Sequence, residues 1–274
     1  MKVNLHAGIS AILWTVLFFF VPEGKVYSQF SMGAAPATMG HTGAAIMNSS
    51  WAVFNNPAWI STDMRTVSFY GYRFAGMPEL TDMAAVVAVP LQSGAVAAGI
   101  HRYGFDLYSE QRIAAAYKQH LGFVHAGLAV VYHHFSIGGG YGSAGTIGIV
   151  AGVGTELTNN LQIGLRSGYL NRPTLGNYEE TIPSTLAAGI RYLVSERASL
   201  TADLVKDPDF PLSARAGIEF RLTESLLLRS GLSGKPESYG FGFGYDPGPF
   251  RVNLGVHQHY PLGLSAAMDV IIPI

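Results

Sequence analysis

Between residues 212 and 222 every second side chain is apolar: Leu212, Ala214, Ala216, Ile218, Phe220 and Leu222 alternate with Ser213, Arg215, Gly217, Glu219 and Arg221. Successive side chains of a strand point to opposite faces, so this stretch has one greasy face and one polar, charged face. The pattern returns where Tyr239, Phe241, Phe243 and Tyr245 alternate with glycine, and where Phe250, Val252, Leu254 and Val256 alternate with Arg251, Asn253, Gly255 and His257. A water-soluble sandwich alternates in the same way, and the N-terminus tips the balance between the two. Lys2 precedes an apolar run over 11–21, and Val26-Tyr27-Ser28 suits a cut after Ser28, which reads as a secretory signal over 1–28. The apolar run is shorter than the roughly 20 residues that a spanning helix needs, and the chain has no cysteine to accept a lipid at the cut. Export together with alternation predicts an all-β fold: a transmembrane antiparallel β-barrel of about 14 strands, with lipid outside and a polar lumen inside.

Composition agrees. The chain is 49% hydrophobic and only 13% charged, an uneasy balance in water that suits a wall solvated by lipid. A net charge of −1 gives no electrostatic reason to expect nucleic acid as a partner. The absence of cysteine excludes disulfides and thiolate chemistry.

After the signal, residues 29–62 lack strict alternation and are rich in Gly, Ala, Ser, Met and Asn. This segment reads as a small plug folded into the lumen, with a short helix in its middle that ends or turns at Asn55-Asn56-Pro57. Residues 63–274 read as the barrel. Strand candidates fall at 66–74, 82–91, 94–103, 110–118, 123–135, 144–156, 160–170, 183–194, 197–205, 211–222, 225–233, 238–246, 249–258 and 262–272, with longer connections at 136–143, 171–182 and 206–210. Val124, Ala126, Leu128, Val130, Tyr132, Leu161, Ile163, Leu165 and Tyr169 are expected to meet lipid. Gln162, Gly164, Arg166, Arg191, Arg215, Glu219, Arg221, Arg229, Arg251 and Asp269 are expected to face the lumen. Arginine at the lipid midplane costs about 2–4 kcal/mol, which fixes the register, since a slip by one residue puts several charges into hydrocarbon. Tyr132, Tyr169, Tyr192, Tyr239 and Tyr245 suit the membrane interfaces.

Several patterns have plainer readings than the sharp ones. His257 and His259 share a strand face, but a pair lacks the further ligands of a structural zinc site, so no metal and no cofactor is expected. Gly138–Gly142 and the glycines at 240, 242 and 244 lack the Lys-Ser/Thr pair of a phosphate loop. The second set instead puts glycine on the lumen face, where an inserted segment can come close. Arg215, Glu219 and Asp269 are expected to pair across neighbouring strands. No nucleophile–base spacing stands out, and a non-enzymatic role follows.

Met39-Gly40-His41-Thr42-Gly43-Ala44-Ala45, then Ser50-Trp51-Ala52-Val53-Phe54-Asn55-Asn56-Pro57-Ala58, resembles the N-terminal signature of FadL-like outer-membrane barrels, and most of all their PorV/PorQ branch from Bacteroidetes. The stretches 213–222 and 228–232 resemble that branch's paired C-terminal strands. The resemblance implies a fourteen-stranded barrel in the outer membrane of a Gram-negative bacterium, with Trp51, Phe54, Asn55, Asn56, Pro57 and Trp59 in an inward-folded segment. It implies one of two roles. The first is that of a type IX secretion accessory, which binds secreted or translocon proteins through loops at 136–143 and 171–182. The second is that of a transporter of hydrophobic small molecules, with Met39, Met47, Trp51, Phe54 and Trp59 along the path. The sequence departs from the family in its short loops, in Trp59 after Asn56-Pro57-Ala58, and in a C-terminus without an aromatic residue.

Overall fold

The computed structural model describes residues 31–77, 79–140, 142–175, 181–259 and 263–274. The expected signal and its cut after Ser28 lie outside the described residues. Fourteen strands follow one another: β1 (Thr66–Arg73), β2 (Thr81–Leu91), β3 (Gly94–Phe105), β4 (Tyr108–Leu121), β5 (Val124–Ile137), β6 (Gly142–Thr158), β7 (Leu161–Gly168), β8 (Thr185–Ser195), β9 (Ala198–Lys206), β10 (Ser213–Arg221), β11 (Leu226–Gly234), β12 (Glu237–Tyr245), β13 (Arg251–His259) and β14 (Gly263–Pro273). Each pairs antiparallel with its neighbours in sequence, and β1 pairs with β14, so the sheet closes into a barrel. Closure satisfies every strand's backbone without leaving an edge, the condition for a sheet to cross a membrane.

Two-residue turns join β2 to β3, β4 to β5, β6 to β7 and β8 to β9 at one end, while the longest connections, 74–80 and 169–184, lie at the other. By the asymmetry of such barrels the first end faces the periplasm and the second the cell exterior. The long connections run at 138–141, 169–184 and 207–212, shifted by a few residues from the sequence expectation.

Outward positions form an apolar band that includes Phe69, Ile100, Ile113, Leu128, Val153, Leu165, Ile190, Leu204, Ile218, Leu228, Phe241 and Met268, all exposed. Tyr132, Tyr192, Tyr239 and Tyr245 also point outward. Tyr169 does not. β7 ends at Gly168, Tyr169 adopts φ 53°, and its side chain swings into the interior, where its hydroxyl hydrogen bonds with His133 Nε2 at 2.7 Å.

The inner face is not uniformly polar, which corrects the expectation of a polar lumen. Strands β8–β14 carry Arg191, Ser199, Thr201, Asp203, Arg215, Arg229, Asn253 and Asp269 inward. Strands β2–β6 turn Ala84, Val86, Ala88, Ala95, Ala97, Ala114, Ala116, Ala129, Val131 and Val150 inward, all buried. On that side the middle of both faces is apolar, because the inner face packs against chain rather than water; His101, Arg112 and His133 lie inward on one side of this band and Lys118 and His125 on the other.

Candidate functional site

That chain is the N-terminal segment. It contains a five-residue helix α1 (Ala34–Thr38) and two 3₁₀ turns, Ser50–Val53 and Pro57–Trp59. The expected mid-segment helix is therefore reduced to short turns. Asn56 ends the first turn's loop and caps the second, its side chain accepting from the Ala58 N–H. A parallel bridge between Ser49 and Ile60 ties the ends of this stretch together. Helix α1 packs on β11–β14, and the two turns pack on β1–β6, so the segment crosses the interior from the polar wall to the apolar one.

Charged side chains of the wall hold the segment by its backbone. One oxygen of Asp203 accepts the N–H groups of Gly43 at 2.7 Å and Ala44 at 2.9 Å. Asp269 accepts the Ala34 N–H at 2.7 Å and the side-chain amide of Asn253 at 2.5 Å. The Arg215 guanidinium donates to the His41 carbonyl at 3.1 Å, and Lys118 Nζ donates to the Ile60 carbonyl at 3.0 Å. Hydrogen bonds with one charged partner are about twice as strong as neutral ones, and each of these is buried. Asp203 and Lys118 were not singled out from sequence. The signal was available, since each sits at an inward parity of its strand, but a lone polar residue on a strand forms no motif.

Glycine makes the approach possible. A Cβ on Gly164 would stand 1.8 Å from the Ala44 carbonyl oxygen, and one on Gly240 would stand 2.5 Å from that of Thr38. Both distances are below contact, so the wall is bare where the segment touches it.

Within the segment, Asn55 exchanges two hydrogen bonds with the Met32 backbone, at 2.7 and 2.8 Å. Asn56 donates to the Ala44 carbonyl at 2.6 Å, and Trp59 Nε1 donates to the same oxygen at 3.0 Å. Pro57 lies over Gly127 of β5. Trp51 meets the Tyr70 ring edge-on at 5.7 Å, and Phe54 lies under the Arg112 guanidinium, 5.6 Å from its ring centre, beside His101. The five residues expected along one path do not converge. Met39 abuts Gly217 and Gly231, Trp59 is sealed against Gly154, Met47 reaches the periplasmic mouth, and Trp51 and Phe54 face the apolar wall.

The inward charges fall into separate groups rather than the expected pairing of Arg215 with Glu219 and Asp269. Glu219 accepts from Arg229 at 2.7 Å and from Arg191 at 3.5 Å, and Arg229 continues to Asn253 at 2.8 Å. Arg215 is instead committed to the segment, because β10 carries it four residues further from the periplasmic mouth than Glu219. Arg251 pairs with Asp246 at the periplasmic mouth, at 2.5 Å. Arg166 is inward on β7, next to Gly168. Arg191, Arg221, Arg229 and Arg251 line a cavity of about 360 Å³ beneath the segment, balanced by Asp63, Glu219, Asp246 and Asp269. Toward the exterior the interior is ringed by Tyr72, Phe74, Tyr103, Phe135 and Tyr169, with His257 bonded to Tyr72 at 3.1 Å.

His41, on the segment, meets His257 edge to ring at 4.6 Å. Burial, then the charges of His257, Arg215 and His259, hold its pKa well below the ordinary histidine value.

No family model and no curated protein matches the sequence. Among solved structures the chain is similar to the toluene transporter TodX of Pseudomonas putida, at 14% identity over 90% of this chain and 98% of that one, with a TM-score of 0.68. It is similar to a deltaS2 mutant of the TodX monoaromatic hydrocarbon channel, at 12% identity over 89% and 98%, with a TM-score of 0.70. It is also similar to a Pseudomonas aeruginosa FadL homologue, at 11% identity over 90% and 100%, with a TM-score of 0.63. None of these three is named as a secretion component. At such identities the likeness is one of architecture, and it gives this chain the fold of FadL-like outer-membrane barrels.

Proposed function

We propose that the protein admits small hydrophobic molecules across the outer membrane, and that residues 31–62 act as the plug that keeps water and ions from following. The observation that carries this reading is the alanine and valine band in the middle of the inner wall of β2–β6, faced by Trp51, Val53 and Phe54. A barrel that passes polar solutes keeps a wet, polar interior, whereas an alanine- and valine-lined sector beneath an aromatic rim offers an apolar solute a favourable seat at each step. The transporters whose fold the chain shares handle toluene or monoaromatic hydrocarbons by their names, which supports the same class here.

The test is uptake of radiolabelled toluene and of a long-chain fatty acid into proteoliposomes carrying the barrel. Wild-type vesicles are expected to fill faster than protein-free ones. Val86→Thr with Val131→Thr sets two hydroxyls into the apolar sector at a cost of about 0.5–2 kcal/mol each, so uptake falls several-fold while the folded barrel persists. Uptake no faster than in protein-free vesicles would defeat the proposal. Retention of secreted cargo in a deletion strain with normal uptake would point to the secretion role instead.

A further inference from the structure

The outer wall carries a depression that the transport reading does not use. Outward positions of five consecutive strands form two adjacent rows across the sheet. One runs Phe241–Val256–Ala266–Arg73–Thr81, and the next runs Phe243–Leu254–Met268–Gly71–Met83 and on to Arg102. The tall side chains stand at the flanks. Between them Ala266 is small and Gly71 has no side chain, and a Cβ on Gly71 would meet nothing within 4 Å. The resulting groove has a volume of about 770 Å³. It spans four strand spacings from β12 to β2, about 19 Å, the length scale of an acyl chain.

Charge marks one end of it. Arg73 closes β1 at the exterior end, and Arg102 sits on β3 one step deeper. Both point outward and are exposed, and neither makes an ion pair among the described residues. Strand spacing and rise put their Cα atoms about 12 Å apart, about the span of a disaccharide. An outward arginine in hydrocarbon is costly, so two of them at the edge of an apolar groove ask for an anionic headgroup at the level of the interface. The outer leaflet of such a membrane supplies one: a glycolipid with a phosphate at each end of a disaccharide and acyl chains below.

We propose that this groove is a seat for one phosphorylated glycolipid of the lipid A type, its phosphates on Arg73 and Arg102 and one acyl chain over Gly71 and Ala266. The seat is independent of transport through the interior.

Native mass spectrometry of the detergent-purified full barrel, titrated with bis-phosphorylated lipid A or with phosphatidylethanolamine, tests it. The wild-type protein is expected to retain one lipid A and to release phosphatidylethanolamine. Arg73→Gln with Arg102→Gln weakens retention about 25-fold, each cation near a membrane surface contributing about five-fold. Arg73→Lys with Arg102→Lys keeps most of it. Gly71→Phe fills the depression with a side chain of the kind around it and expels the lipid while both arginines remain. Heat-modifiable migration on a gel verifies that each variant is folded. Absence of retained lipid A, equal retention by the wild type and the glutamine variant, or equal retention of phosphatidylethanolamine would overturn the proposal. So would a dimer that Gly71→Phe dissolves, which assigns the groove to a second copy of the chain.

Discussion

Replacing Asp203 tests how the segment is held. One carboxylate oxygen serves two adjacent backbone N–H groups, those of Gly43 and Ala44, at a position only 4% exposed. Hydrogen bonds to a charged group contribute about 1.5–3 kcal/mol each. Asp203→Ala removes both and leaves two donors without an acceptor in the interior, so the seated segment loses at least about 3 kcal/mol. Asp203→Asn keeps a carbonyl oxygen in place but not its charge, and loses about half as much. The strand pairings of β9 with β8 and β10 do not involve this side chain, so the loss falls on the segment rather than on the ring. Hydrogen–deuterium exchange of peptides from 31–62, measured in detergent micelles, reads it directly. A loss of about 3 kcal/mol speeds exchange at Gly43 and Ala44 by about two orders of magnitude, with exchange in β9 and β10 unchanged. Unchanged exchange in the segment would refute the claim that Asp203 anchors it. Equal acceleration in the neighbouring strands would show that ring and segment open as one unit.

Gly164→Ala brings a methyl group to 1.8 Å from the Ala44 carbonyl oxygen, so the segment must lift locally; protection of residues 43–45 is expected to fall, whereas alanine at Gly71, over open space, is silent in the same assay. The segment's hold on the wall is expected to weaken as pH falls from 7 to 5. His41 is neutral when seated, its pKa held well below the ordinary value by burial, but takes up a proton below about 6.5 when displaced. The displaced state then binds more protons, and the seated state loses up to about 1.4 kcal/mol per pH unit until the seated pKa is reached. His41→Gln removes this slope in exchange measurements corrected for intrinsic rates. Ile218→Arg places a charge on the lipid face of β10 and costs about 2–4 kcal/mol in urea titrations of the barrel in vesicles, while Ser233→Arg on the inward face of β11 avoids that lipid-facing cost.

The ring was legible because lipid and interior impose different chemistry on alternate residues. In β10, Arg215 and Glu219 on one parity and Ile218 and Phe220 on the other leave one orientation possible. The apolar inner wall was not legible for the same reason in reverse. In β2, Ala84, Val86 and Ala88 point inward while Met83 and Val87 point outward, and no polarity separates the faces. Tyr169 was misplaced because parity holds only while a strand lasts, and β7 stops one residue before it. The course of residues 31–62 was beyond pattern reading, since short turns are set by contacts with the wall. Its traces were the glycines at 164 and 240, which mark where another backbone arrives, and the lone inward residues Asp203 and Lys118, whose partners are main-chain groups far away in sequence.

The chain has no native cysteine, so single-cysteine spin labelling is clean. The most direct measurement is collision of labels with oxygen and with a water-soluble nickel chelate, in vesicles, at outward sites (Ala214→Cys, Ile218→Cys, Phe220→Cys, Leu228→Cys, Leu232→Cys) and inward sites (Ser199→Cys, Ser213→Cys, Ser233→Cys). A membrane barrel predicts high oxygen and low nickel accessibility at every outward site, with low oxygen accessibility at the inward ones. Nickel accessibility at Ile218 and Leu228 equal to that of a label in water would contradict it, because that wall would then face solvent rather than hydrocarbon.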